Sequence, residues 1–438
     1  MTDGRISMDW QAAAREVLAR LDTLEQELVE LACGVVNVPS PPGYEKDVCE
    51  FIAGWLNERG IAAYVQEVEP TRGNVVGTLA GTGGGKSVTF NSHMDTTFVG
   101  TVAEDLPILG RPEAIAGPAA EVRDAVIYGL GIFNDKGPFV SACIAARAIQ
   151  LSGVKLHGDV VLAGVAGEIG RGQVGPYKGP GTRGKGEGTR FLLHAGVWTD
   201  YAVVCEGGSV WAVSWALPGA AYFRISTHGI PQYAPMNDRS APSVQENKNA
   251  IVKLAHLLIA LEAWADRYEA ENRFDTPCGQ IEPRVTLGAI DGGLPYKPNW
   301  RPGIANVYVD VRIPPNRTPL HVKREVEQVV AATGLSSEVF MYLGRMGYVA
   351  QNAGPVAAAV TAAHTHVFSQ PPSPPTWIEL SMWNDSNVYA ELGIPVVKYG
   401  PAWAGGDFLP ERLAIADLMR AARVYALTSL QLCGVAKA

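Results

Sequence analysis

The chain has no Cys-x-x-Cys pair, no run of basic residues and no uninterrupted apolar stretch long enough to span a bilayer. Each absence removes a class of protein. Cys33, Cys49, Cys143, Cys205, Cys278 and Cys433 lie far apart, which excludes a zinc knuckle and a disulfide framework and leaves them as small buried apolar residues. Lys and Arg number 36 against 44 Asp and Glu, a net charge of −8, which argues against nucleic acid as a partner. The want of a long apolar run argues against a membrane span. Met1 to Asp9 contain no apolar core of a signal peptide, so a cytoplasmic location is expected. No internal repeat or low-complexity tract stands out.

What is present is a long chain with strong local patterning. At 438 residues it exceeds a usual single core, so two domains are expected. Ala12, Ala13, Val17, Leu18, Leu21, Leu24, Leu28 and Leu31 recur at helical spacing, which predicts one amphipathic helix over 9–35. A second helix is predicted over 45–59, and short strands near 62–68, 74–79 and 87–91. A helix from Phe139 and a strand from Asp159 follow, and this alternation points to an α/β fold with a mostly parallel sheet. Residues 171–193 are rich in Gly, Lys and Arg but lack Walker spacing, and read as a long surface loop. Near residue 209 the pattern turns to antiparallel strands with long helices over 247–270 and 319–332. The expected division is therefore a discontinuous domain, 1–208 and 337–438, interrupted by an α+β insert over 209–336.

The chemistry-bearing residues fall at strand ends. Val88-Thr-Phe leads into Asn91-Ser-His-Met-Asp95, which places His93 and Asp95 just past a strand's carboxyl end, where open α/β sheets put their active sites. A carboxylate two residues on can hold one ring nitrogen and free the other for a metal. Further clusters follow: Tyr128 to Gly137 with Asn134 and Asp135, Ala166-Gly167-Glu168, Val204-Cys-Glu206, Trp383-Asn-Asp385, and Gly405-Gly-Asp407 running on to Glu411.

This order resembles, over nearly the whole chain, the co-catalytic metallopeptidase family of aminoacylase, carboxypeptidase G, acetylornithine deacetylase, succinyl-diaminopimelate desuccinylase and carnosinase. The resemblance implies a catalytic α/β domain with an inserted lid and dimerisation domain, and Asp291-Gly-Gly-Leu through Asn299-Trp-Arg-Pro302, then Asp310-Val-Arg312, is similar to the lid signature. It places His93 as the first metal ligand, Asp95 as its orienting acid, Glu206 on the same metal and Glu168 on a second one. Four positions depart from the family. Asn134 stands at the bridging Asp, with Asp135 one residue later. Gly167 stands at the general-base Glu, Asp407 at a ligand His of the second metal, and Tyr233 at the lid His that stabilises an oxyanion across the dimer.

The departures carry consequences. A neutral Asn cannot offset the repulsion of two close cations, so one divalent ion is expected, held by His93, Glu206 and one of Asn134 or Asp135. Glu168 and Asp407 either close a weak second site or support the first. Manganese, zinc and cobalt all suit the donor set. With the base Glu lost, Glu168, Asp135 or the substrate itself is left to move a proton from metal-activated water. Tyr233 retains a hydrogen-bond donor. Arg301, with Asn299, is the expected contact for a substrate carboxylate, and Trp383, like Trp300, Trp377 and Trp403, is expected near the pocket. His364 and His366 read as surface or packing residues.

The implied function is metal-dependent hydrolysis of a C–N bond in a small carboxylate-bearing substrate. The alternatives are deamination of an aromatic amine such as a nitroanthranilate, and a non-catalytic binding protein on a degenerate hydrolase frame. A homodimer or higher assembly through the lid domain is expected.

Overall fold

The computed structural model describes residues 8–403 and 409–436, apart from 116, 118 and 171. Its first sheet has six strands in the order Ala62–Glu69, Arg72–Leu79, Val160–Val165, Val88–His93, Tyr201–Val204 and Val396–Lys398. The three pairings around Val88–His93 and Tyr201–Val204 are parallel, and the two at the other edge are antiparallel. Val160–Val165 and Val88–His93 are buried along their whole lengths, as strands covered on both faces must be. Helices Lys136–Ser152 and Ile415–Cys433 pack against each other and, with Met8–Leu21 and Gly354–Phe368, form the main core beside the sheet.

The start of this frame differs from the expected single helix. The chain forms Met8–Leu21 and Glu25–Val36, because at Asp22-Thr23 the Thr23 hydroxyl bonds back to the Arg20 carbonyl and ends the first helix. The apolar stripe continues across the break, which is why periodicity alone does not reveal it.

A second sheet is wholly antiparallel, in the order Val285–Gly292, Ile304–Ile313, Gly219–His228, Ser337–Arg345. Its last strand lies beyond residue 336 and is hydrogen-bonded along Gly219–His228, so a division at 336 would separate a pair of bonded strands. Period-two alternation gives the sheet two unlike faces. Phe223, Ile225, Val307, Val309 and Val311 pack under helices Ala250–Glu271 and Pro319–Ala332. Tyr222, Asp310 and Arg312 point the other way. Pro319–Ala332 starts where its cap dictates: Thr318 and His321 form a reciprocal capping box. Among the described residues no helix is long and apolar enough to cross a membrane.

Candidate active site

The site is built where three strands of the first sheet end together. His93 closes Val88–His93 and is only 2% exposed. Its Nδ1 lies 2.8 Å from the carbonyl oxygen of Asp95. A carbonyl only accepts, so Nδ1 carries a proton and donates it there. The Asp95 carboxylate is farther from Nδ1, at 3.5 Å, and instead accepts the backbone N–H groups of Glu168 and Ile169 at 3.1 and 2.7 Å. The expected orienting acid therefore works mainly through its backbone, while its side chain fixes the loop that carries Glu168.

His93 Nε2 faces two oxygens, Asn134 Oδ1 at 3.2 Å and Asp135 Oδ2 at 3.3 Å. Both belong to a loop tied down by Glu411, whose Oε2 accepts the N–H groups of Gly131, Phe133 and Asn134. The Asn134–Asp135 peptide is cis, and the Asn134 amide nitrogen donates to Thr97, which turns its oxygen toward His93. Neither oxygen of Asp135 has a hydrogen-bond partner, nor does Oε2 of Glu206. The His93, Asp135 and Glu206 side chains are all buried. Burial raises the Asp135 and Glu206 carboxyls, and the carboxylates around His93 outweigh its own burial and hold its imidazole well above its ordinary value.

That arrangement fits a cation. With Nδ1 protonated, Nε2 and the oxygens beside it are all lone-pair donors, and only a proton or a metal ion relieves their repulsion. Orphaned buried carboxylate oxygens point the same way. Among the described residues no three His, Cys, Asp or Glu side chains form a closed ligand group; His93 and Asp135 are the pair in contact. The expected ligand Asp407 lies outside the described residues.

Position 167 shows why this chain has no Glu there. Gly167 adopts φ +69°, and a Cβ would come within 2.3 Å of Arg72 Nη2. Arg72 is fully buried and held in a fork on Glu45, by bonds of 2.9 and 2.8 Å. A bidentate ion pair thus occupies the space behind Gly167.

A cavity of about 590 Å³ lies next to this cluster. Asn134, Glu168, Lys185 and Glu206 lie on one side, Phe133, Trp377, Trp383 and Trp403 form an aromatic wall, and Arg284, Thr286, Asp310 and Arg312 come from the antiparallel sheet. Trp383 lines this cavity. Arg301 and Asn299 are not among the lining residues. Arg301 instead donates to the Ile230 carbonyl, and the strand carrying it pairs with Gln232–Tyr233. Tyr233 is 42% exposed, beside Trp300, on that same remote ribbon. Within one chain none of these three residues lines the cavity.

One residue escaped the sequence reading, and a second was noted there only as part of a polar cluster, with no role. Residues 171–193 are not all surface loop: Glu187–His194 is a helix with Thr189, Leu192 and Leu193 buried, and Lys185 just before it lines the cavity. Its Nζ is 3.2 Å from Glu168 Oε1. Asp385, the other, is buried near Glu168 with Oδ1 unpartnered, and burial first, then the Glu168 charge, pushes it up to about 8. An acid two residues after Trp383 is the only signal the sequence offers.

The antiparallel unit, residues 217–338, matches the family model described as peptidase dimerisation domain. Among curated relatives, N-formyl-4-amino-5-aminomethyl-2-methylpyrimidine deformylase of Bacillus subtilis is 28% identical over 43% of this chain and 40% of its own length. The [LysW]-lysine hydrolase of Deinococcus radiodurans is 23% identical over 92% of this chain and 97% of that one. The chain thus spans about two fifths of the first relative and nearly all of the second. Human carnosine dipeptidase 1 superposes with a TM-score of 0.70 at 15% identity, covering 96% of this chain and 99% of the other. The M20 family metallo-carboxypeptidase of Sulfolobus solfataricus gives 0.66 at 14% identity, covering 93% and 99%. The fold is that of these solved structures, the 217–338 unit is that of a peptidase dimerisation domain, and the relatives named are hydrolases.

Proposed function

We propose that this chain is a metal-dependent hydrolase of a C–N bond in a small substrate. The observation that carries the reading is the buried contact of His93 Nε2 with Asp135, whose carboxylate oxygens have no hydrogen-bond partner, close to a cavity lined by Asn134 and by Glu206, whose Oε2 is also without one. His93, Asp135 and Glu206, with the Asn134 carbonyl oxygen, would hold one divalent ion such as manganese, zinc or cobalt. When bound, such an ion lowers the pKa of water toward ~7 and polarises the bond under attack. The chain's own residues do the rest. Asp95 fixes the imidazole tautomer and the Glu168 loop. Glu168, with Oε1 on Lys185, takes the proton from water at Oε2 in place of a Glu at 167. The tryptophans exclude bulk water, which strengthens every charge–charge contact inside.

A second reading concerns the substrate. Four aromatic rings around one cavity favour a planar aromatic ligand, stacked or edge-on. Arg284 and Arg312 line the cavity from the facing sheet and are the cations a substrate carboxylate would meet in place of Arg301, although Arg284 is paired with Glu269 and Glu282 and Arg312 with Asp310, so the carboxylate would have to share them. Hydrolysis of an aromatic amine such as a nitroanthranilate fits this wall, and it forms no carbonyl oxyanion. Assembly as a homodimer through the 217–338 unit completes the proposal.

The test is a turnover screen of N-acyl amino acids against amino-substituted benzoates, with manganese present and after chelation. Turnover that vanishes on chelation and returns with the ion supports the reading. A protein that neither turns over these compounds nor takes up metal is a binding protein on a hydrolase frame, and the proposal falls.

A further inference from the structure

Glu168 faces the cavity beside a cation that the polypeptide itself supplies. Lys185 precedes Gly186, which has φ +87°, and the lysine is only 8% exposed. Its Nζ is 3.2 Å from Glu168 Oε1 and 5.2 Å above the ring of Trp383. The same two residues are also joined by backbone, Lys185 N–H to the Glu168 carbonyl at 3.0 Å, and Arg345 anchors the Lys185 carbonyl. A free lysine samples many rotamers, and these constraints together show that the fold fixes this one. At the position where the family resemblance would place a bridging carboxylate, the described residues offer an amide instead. Asn134 is neutral, and its amide nitrogen is spent on Thr97.

We infer that the ammonium of Lys185 takes the place of a second metal ion: it is the fixed positive charge that balances Glu168 and leaves room for one divalent cation, not two. The physical reason is charge balance in a dry site. A buried carboxylate needs a cation within contact distance. A divalent ion placed on Glu168 would meet an ammonium already there, and cations in contact repel strongly even where the protein screens them well. The aromatic face of Trp383 adds a further preference for a monovalent cation at that point. Lys185 therefore does with a side chain what a metal-ion pair would do with a second ion, and it presents a positive charge to any anionic group of the substrate entering beside Glu168.

The inference rests on the single-ion reading given above, and the test separates the two. The purified chain and Lys185→Met and Lys185→Arg variants are loaded with Mn(II), and bound metal is counted by elemental analysis. Electron paramagnetic resonance reports whether the ions are isolated or spin-coupled. The expected result is one ion per chain and an uncoupled six-line signal in the wild type and in Lys185→Arg. Lys185→Met, which keeps the length and removes the charge, is expected to gain a second ion and a coupled signal. One ion in wild type and in Lys185→Met alike overturns the inference alone. Two ions in the wild type overturn it whatever the variants do, including a variant that fails to fold. No ion in the wild type removes the metal reading and this inference together.

Discussion

His93 is the residue on which the site turns, since its Nδ1 is committed to the Asp95 carbonyl and its Nε2 has only oxygens to face. His93→Ala is expected to abolish manganese uptake and also to lower the melting temperature of the metal-free protein, because the lost imidazole leaves the buried Asp135 carboxylate without the cation beside it. Parallel elemental analysis and thermal melts check this, and retained metal in the variant would contradict it. Gly167 allows a sharper trial. Restoring the Glu that the family resemblance would place there is expected to fail: a side chain must enter the left-handed region and displace Arg72 from Glu45. A loss of ~2 kcal/mol or more in stability is expected for Gly167→Glu, with no gain in turnover. Urea unfolding measures the first, and a more active, equally stable variant would show that the space behind position 167 is not closed.

At the level of elements, the loop from Gly129 to Asp135 is held by one carboxylate 280 residues away in sequence from Gly131. Burial pushes Glu411 up to about 7, opposed by the three N–H groups it accepts. Glu411→Ala leaves those donors unsatisfied and lets Asn134 and Asp135 drift, so metal affinity is expected to fall roughly 10–100-fold, as it does when outer support of ligands is lost. Calorimetric titration with Mn(II) reads this directly. The helix Gly354–Phe368 carries a different signal. His364 is buried, bonded to Tyr399 at 2.7 Å and stacked on Phe368, and burial lowers it from 6.5 to about 4. The unfolded chain then binds a proton that the folded chain refuses, so stability is lost as pH falls from 6.5 toward 4. His364→Gln is expected to flatten that region of the stability–pH curve, whatever it costs at pH 7. What the sequence made legible is what is local: the strand ends and the helix over 319–332, and with them the positions of His93, Glu168 and Glu206 in the chain. The rest depends on distant partners. Arg72 fills the place of a Glu at 167, Lys185 reaches Glu168 from a Gly-rich turn, and Arg301 is spent on the Ile230 carbonyl outside the cavity lining. Spacing carries no trace of such contacts, because each is set by how separate elements pack.

For the whole molecule the open matter is how the far ribbon serves the site. Tyr233 and Trp300 are 42% and 45% exposed and packed side by side, outside the chain's own cavity. Large exposed aromatics in a pair are the usual core of a contact surface. In a homodimer built through the 217–338 unit, Tyr233 would enter the partner's cavity, where its hydroxyl donates to charge developing on the substrate. Subunit mixing decides it. Tyr233→Ala and His93→Ala proteins are each expected to turn over poorly. In a mixed dimer the His93→Ala subunit still offers its Tyr233 to the neighbour, whose His93 is intact, so one complete site forms. Activity that rises on mixing and dissociation–reassociation, toward about a quarter of the wild-type rate when half the dimers are mixed, is the expected outcome, with light scattering confirming the dimer mass. No rise on mixing, in samples shown to exchange subunits, would confine Tyr233 to packing in its own chain and leave the site complete within a single subunit.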